Sequence, residues 1–88
     1  MSDATHAPNA LALFRDMTGA LAAETARAAG APTALVSITF DMMGEGQPAA
    51  TRVEVVRATK SLVFSQGDIL DSAGRRLLAA TAVHKILK

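Results

Sequence analysis

The stretch Asn9–Gly30, NALALFRDMTGALAAETARAAG, reads as one helix. Alanine, the strongest helix former, recurs throughout it. Asn9 after Pro8 is a suitable N-cap, and Gly30 followed by Pro32 is a stop signal. On a 3.6-residue wheel, Leu11, Phe14, Met17, Thr18, Leu21, Thr25 and Ala28 fall on one broad face. Ala12, Asp16, Gly19, Ala23 and Ala26 fall on the other. The first face asks for a sheet beneath it, and the second, made of small residues, invites close approach by another element. Gly19 inside the helix costs about 1 kcal/mol relative to alanine, a cost that a close neighbouring backbone would justify. Asp16 is the anomaly: one carboxylate in the middle of the small face.

After Pro32 the period changes from helical to alternating. In Thr33–Met43, Val36, Ile38, Phe40 and Met42 point one way and Ser37, Thr39 and Asp41 the other. Gly44 to Pro48 is a turn. Ala50–Ala58 reads as a second strand, Ser61–Leu70 as a third and Leu77–Leu87 as a fourth. Thr59-Lys60 breaks the second from the third, and Asp71-Ser72-Ala73-Gly74 is a hairpin turn. Leu62-Val63-Phe64 is apolar on both faces, which suits an interior strand. One long N-terminal helix followed by four strands on short connections predicts an α+β domain, the helix packed on a four-stranded antiparallel meander.

The 88 residues suffice for one domain (1–88), with 1–8 expected to be a flexible tail. A chain this short buries a limited fraction of its surface, so association would help it. Nine basic residues against eight acidic ones leave a net charge of +1, spread along the second half rather than gathered. With three phenylalanines and neither tryptophan nor tyrosine, there is little to stack on bases, so nucleic acid is not an expected partner. No apolar run approaches the roughly 20 residues of a bilayer span, and the first ten residues lack the pattern of a signal peptide. The expectation is a soluble, cytoplasmic protein with no membrane partner. Absence of cysteine excludes a disulfide framework and a thiolate metal site, and no metal site or bound cofactor is expected.

Val53–Leu87, VEVVRATKSLVFSQGDILDSAGRRLLAATAVHKIL, resembles the C-terminal strands of hotdog-fold acyl-CoA thioesterases of the phenylacetate-pathway type. That family shows a valine-rich strand ending in arginine, a Leu-Val-Phe strand, an Asp-x-x-Gly turn and a last strand rich in alanine and threonine. LFRDMTGALAA, Leu13–Ala23, is similar to the family's Leu-Ala-Asp-Thr-Ala-x-Gly-x-Ala helix. The resemblance implies a helix wrapped by a curved antiparallel sheet, a homodimer or higher oligomer, and active sites at the subunit interface. It implies an acyl-CoA substrate, coenzyme A being part of that substrate, and makes Asp16 the general base or nucleophile toward the thioester carbonyl.

Two departures stand out. Where the family has His-Gly-Gly before the helix, this chain has His6-Ala7-Pro8-Asn9, so the oxyanion donor expected here is a helix N-terminal amide near Asn9 or Ala10. The family also places a strand before the helix, and nothing ahead of Pro8 supplies one. A non-catalytic hotdog module that binds an acyl ligand or a protein partner is therefore the competing reading. A strand contributed by another chain, through swapping or a hetero-oligomer, is a third.

Each singled-out residue also has a plain explanation. Asp16 could be a solvated acid paired with Arg15. His6 is expected to lie on the surface, and His84 to be structural, since no second ligand is placed to form a metal site. Arg52, Arg57, Lys60, Arg75 and Arg76 are solvated charges by default and contacts for coenzyme A phosphates in the alternative. Met42 and Met43 are expected to pack in the core, with the lining of an acyl pocket as the alternative.

Overall fold

The computed structural model describes residues 10–87. The expected tail, the cap Asn9 and His6 lie outside them. Helix α1 is Ala10–Ala29, followed by β1, Thr33–Met42; β2, Ala50–Ala58; β3, Leu62–Leu70; and β4, Arg76–Ile86. All four strands form one antiparallel sheet, and the helix lies across one of its faces. The helix stops as expected. Gly30 takes a positive φ of 64° and its amide donates to the Ala26 carbonyl at 2.9 Å. Leu87 N–H then donates to Pro32 O, tying the helix exit to the end of β4.

The sheet order is β1-β4-β3-β2. The meander therefore runs through β2, β3 and β4, while β1 stands across the sheet from β2 and pairs with β4. The physical reason is linker length. Residues 43–49 can reach about 23 Å when extended, and crossing three strand spacings needs about 14 Å. Met43 and Gly44 N–H donate to Leu77 O and Ala49 N–H donates to Leu70 O, so the linker is pinned to the end of the sheet as it crosses. Its position puts β3 in the interior, as its two-sided apolar centre requires, and makes β1 and β2 the edges.

The register sorts every side chain to one face. Toward the helix stand rows such as Phe40, Ala80, Gly67 and Val53, and next to it Ile38, Ala82, Ser65 and Val55. Away from it stand Thr39, Thr81, Gln66 and Glu54, flanked by the row of Asp41, Ala79, Asp68 and Arg52. A bulge between Leu35 and Ser37 breaks the alternation expected for β1 and leaves Val36 59% exposed.

The helix rests on Leu13, Met17, Leu21 and Thr25, one residue every turn. This corrects the wheel reading. Leu13 is buried, Leu11 is 72% exposed and Ala28 is exposed, so the core stripe is narrower and rotated toward Leu13. Burying a side chain such as Met17 or Leu21, both inaccessible here, contributes about 1.5–3 kcal/mol each. Beneath them the sheet offers small groups at Gly67, Ala80 and Ala82, while Ile69, Leu77 and Leu78 fill one end. Phe14 stacks on Phe40 with ring centroids 4.4 Å apart.

Candidate functional site

Asp16 projects from the helix face turned away from the sheet. Met17, its neighbour in sequence, is fully buried, whereas the Asp16 side chain is 62% exposed. Gly19 and Ala23, on the same side, are exposed too, and a Cβ added to Gly19 would meet nothing within 4 Å. The expected small face is thus present and uncovered within one chain. Arg15 Nε approaches Asp16 Oδ1 to 3.7 Å, both groups facing solvent. That is a loose surface ion pair, and it leaves the carboxylate accessible. Ala10 opens the helix six positions earlier, so its amide belongs to the positive end of the helix dipole.

Other apolar groups are uncovered with them. Leu11 lies near the helix start, and Leu35, Val36 and the methionines Met42 and Met43 lie on or beside edge strand β1. Met42 is 50% and Met43 52% exposed, so they do not pack in the core of a single chain as expected. Among the described residues no strand pairs with the outer side of β1.

The five basic residues separate into two groups. Arg52 forms a two-pronged pair with Asp68, Nε to Oδ1 at 2.9 Å and Nη2 to Oδ2 at 2.8 Å, directly across β2 and β3. Arg76 approaches the same carboxylate to 3.9 Å. The Asp68 carboxyl is held below its ordinary pKa first by the hydrogen bond from Arg52, against the opposing effect of burial. Arg75 is committed to Asp71, which also accepts from the Ala73 and Arg75 amides and closes the β3–β4 turn. Arg57 lies over the Phe64 ring at 5.8 Å, and Lys60 stands at the tip of the β2–β3 turn.

His84 is 2% exposed on the helix-facing side of β4, opposite Val63 and Leu35. Both its ring nitrogens, and the hydroxyl of buried Ser65, are enclosed without a hydrogen-bond partner. Burial lowers its pKa. Among the described residues, no group of three or more metal-ligating side chains comes together.

The architecture can now be compared with known structures. BH2602 of Bacillus halodurans, solved with CoA, superposes with a TM-score of 0.84 over 99% of this chain and 60% of its own, at 11% identity. A hypothetical thioesterase of Streptococcus pneumoniae TIGR4, solved with coenzyme A, gives 0.83 over 97% of this chain and 70% of its own, at 14% identity. The PaaI protein of the Escherichia coli phenylacetic acid degradation operon gives 0.81 over 100% and 65%, also at 14% identity. The chain has the hotdog fold that these proteins share. This hotdog domain spans 60% of the length of the Bacillus protein. No protein-family model matches the sequence, and no curated protein matches it significantly. No described helix is long and apolar enough to cross a membrane.

Gly67 is the residue that the sequence reading passed over. A β-carbon there would stand 2.7 Å from Arg52 O and 2.8 Å from Met17 Sδ, so the helix seats on the sheet only because this position is bare. A glycine inside a strand pattern was the available signal.

Proposed function

We propose that the chain is a thioester hydrolase acting on an acyl-CoA, and that it works as a homodimer. The observation that carries this reading is Asp16: an accessible carboxylate on an uncovered face of small residues, on the central helix of a hotdog fold. A second copy laid along that face would enclose Asp16 between the two subunits. Two α1 helices running antiparallel would set Asp16 of one chain toward the helix N-terminus of the other, where the Ala10 amide supplies an oxyanion donor. The exposed apolar groups of edge strand β1 extend the surface available for pairing.

In the reaction, the Asp16 carboxylate takes a proton from water as the water oxygen bonds to the carbonyl carbon. The carbonyl oxygen becomes the oxyanion held by the helix-terminal amide. Collapse then breaks the C–S bond, and the thiolate leaves and is protonated. The alternative role for Asp16 is direct attack on the carbonyl carbon, which breaks the C–S bond, expels the thiolate and gives an anhydride that water hydrolyses. Coenzyme A in the Bacillus and pneumococcal structures supports the choice of substrate class.

A panel of acyl-CoAs assayed for thiol release tests the reading. Wild type should turn over at least one member, and Asp16→Ala should lower that rate by about 100-fold or more. Equal rates in the two proteins would overturn the role of Asp16. Saturable acyl-CoA binding with no turnover by wild type would place the chain with the non-catalytic modules.

A further inference from the structure

The two halves of α1 are seated differently. Leu13 and Met17 belong to the apolar cluster with Ile69, Leu77 and Leu78, and Met17 reaches the bare backbone at Gly67. Two turns on, the buried anchor is Thr25. Its hydroxyl meets that of Thr33 at 3.4 Å, a long hydrogen bond that places the end of α1 over the start of β1. Thr33 stands opposite Ile86, two residues along β4 from His84 and on the same side of the sheet. Ser65 pairs with Ala82 and Val63 with His84, so Ser65 lies diagonally across from the ring on that side too. Ser65 is 3% and His84 2% exposed, and the Ser65 hydroxyl and both ring nitrogens have no hydrogen-bond partner among the described residues. The last turns of the helix therefore cover a polar patch in which an imidazole is shut away.

Such a place accepts a neutral ring and penalises a charged one. The charges on the elements around it do not offset that penalty. On α1, Arg15 pairs with Asp16 and Arg27 with Glu24. Asp41 on β1 and Asp68 on β3 stand opposite Ala79, five residues along β4 from His84. Lys85, next to His84, carries the same sign as a protonated ring, and Arg76 begins β4 at its far end. No carboxylate lies within ion-pair distance of His84 among the described residues.

We propose that His84 is an acid-sensitive latch: taking up a proton frees the last two turns of α1 from the sheet, while the first half of the helix and the β2-β3-β4 meander stay packed. Released, the ring is solvated and keeps its proton, so the open form gains up to about tenfold in population per pH unit below about 6.5. The apolar seat of Leu13 and Met17 does not titrate, which confines the opening to one end. The latch lies toward the opposite end of α1 from Ala10 and does not draw on the chemistry proposed for Asp16.

Amide hydrogen exchange of the full chain at pH 7.5 and pH 5.0, corrected for intrinsic rates and repeated in low concentrations of urea, tests this. Protection of residues 22–30 should fall by about 5- to 30-fold at the lower pH. At pH 5.0 it should lie at least tenfold below that of residues 63–69 and depend less on urea, because a local opening exposes less surface. His84→Leu should abolish the fall. His84→Gln, polar but without a titrating ring, should likewise give one level of protection at both pH values, and His6→Gln should behave as wild type. Unchanged protection of residues 22–30 in wild type would overturn the proposal. So would equal protection and urea dependence of residues 22–30 and 63–69, or a fall that persists in both His84 variants.

Discussion

The thioether sulfur of Met17 lies 2.8 Å from the place where a β-carbon on Gly67 would stand. Helix and sheet meet there with no room between them. The same β-carbon would be 2.7 Å from the Arg52 carbonyl and 2.9 Å from Val53 Cγ1. Met17 could swing aside, but the Arg52 carbonyl belongs to the paired backbone of β2. Gly67→Ala is therefore expected to destabilise the fold by about 1–3 kcal/mol, read as a lower urea midpoint at unchanged slope. An unchanged midpoint would mean that the helix floats free of the sheet.

Stability should fall on acidification in two separate windows. His84 has its folded pKa lowered by burial, so the unfolded chain takes up its proton first. Its contribution is complete above the unfolded histidine value of about 6.5 and is lost as pH falls below it. The slope can approach 1.4 kcal/mol per pH unit for one proton. Its cross-strand partners are Leu35 on β1 and Val63 on β3, neither of them an acid. Urea midpoints at pH 8 and pH 5 should differ in wild type, and most of that difference should vanish in His84→Leu. A difference undiminished in the variant would assign the proton elsewhere.

The second window belongs to Asp68 and Asp71, whose folded pKa values are lowered, chiefly by the Arg52 side chain and the Arg75 amide respectively. Their contribution is present above the ordinary carboxylate range and is lost as pH falls through it. Asp71→Ala should lower the melting temperature at pH 7 and lose part of that deficit near pH 3, where wild type has lost the same contacts. A constant deficit across that range would contradict the role given to its charge.

Association can be tested on the helix without touching Asp16. Ala23 is exposed on the same side of α1 as Gly19, and a Cβ at Gly19 meets nothing in its own chain. Wild type should sediment as a dimer at micromolar concentration. Ala23→Arg should shift it to monomer and abolish thioester turnover, while Asp16→Ala should stay dimeric and lose only turnover. A wild-type monomer with full activity would overturn the paired site. For a chain that stays monomeric, Gly19→Ala should gain about 1 kcal/mol from helix propensity.

Much of the architecture was legible in the chain itself. Alanine density and Gly30 set the helix and its stop, period-two alternation marked the first two strands, and Asp71 with Gly74 marked the hairpin. These are local effects, decided by backbone preference within a few residues. The place of Asp16 among small residues was equally visible, because helical spacing alone collects Ala12, Asp16, Gly19 and Ala23 on one side.

Contacts between distant residues had to wait for the tertiary structure. Only the packed sheet shows that β1 leaves its neighbour in sequence to pair with β4, since a crossing linker and a tight turn look alike in composition. Only packing turns the helix toward Leu13, which borders the broad apolar face, and away from Leu11 at that face's other edge. Which arginines are committed to carboxylates depends on register: Arg52 and Asp68 become opposites sixteen residues apart, while Arg57, Lys60 and Lys85 have no ion-pair partner among the described residues. Sequence determined which groups could do chemistry; the long-range pairing of strands decided which of them are free to do it.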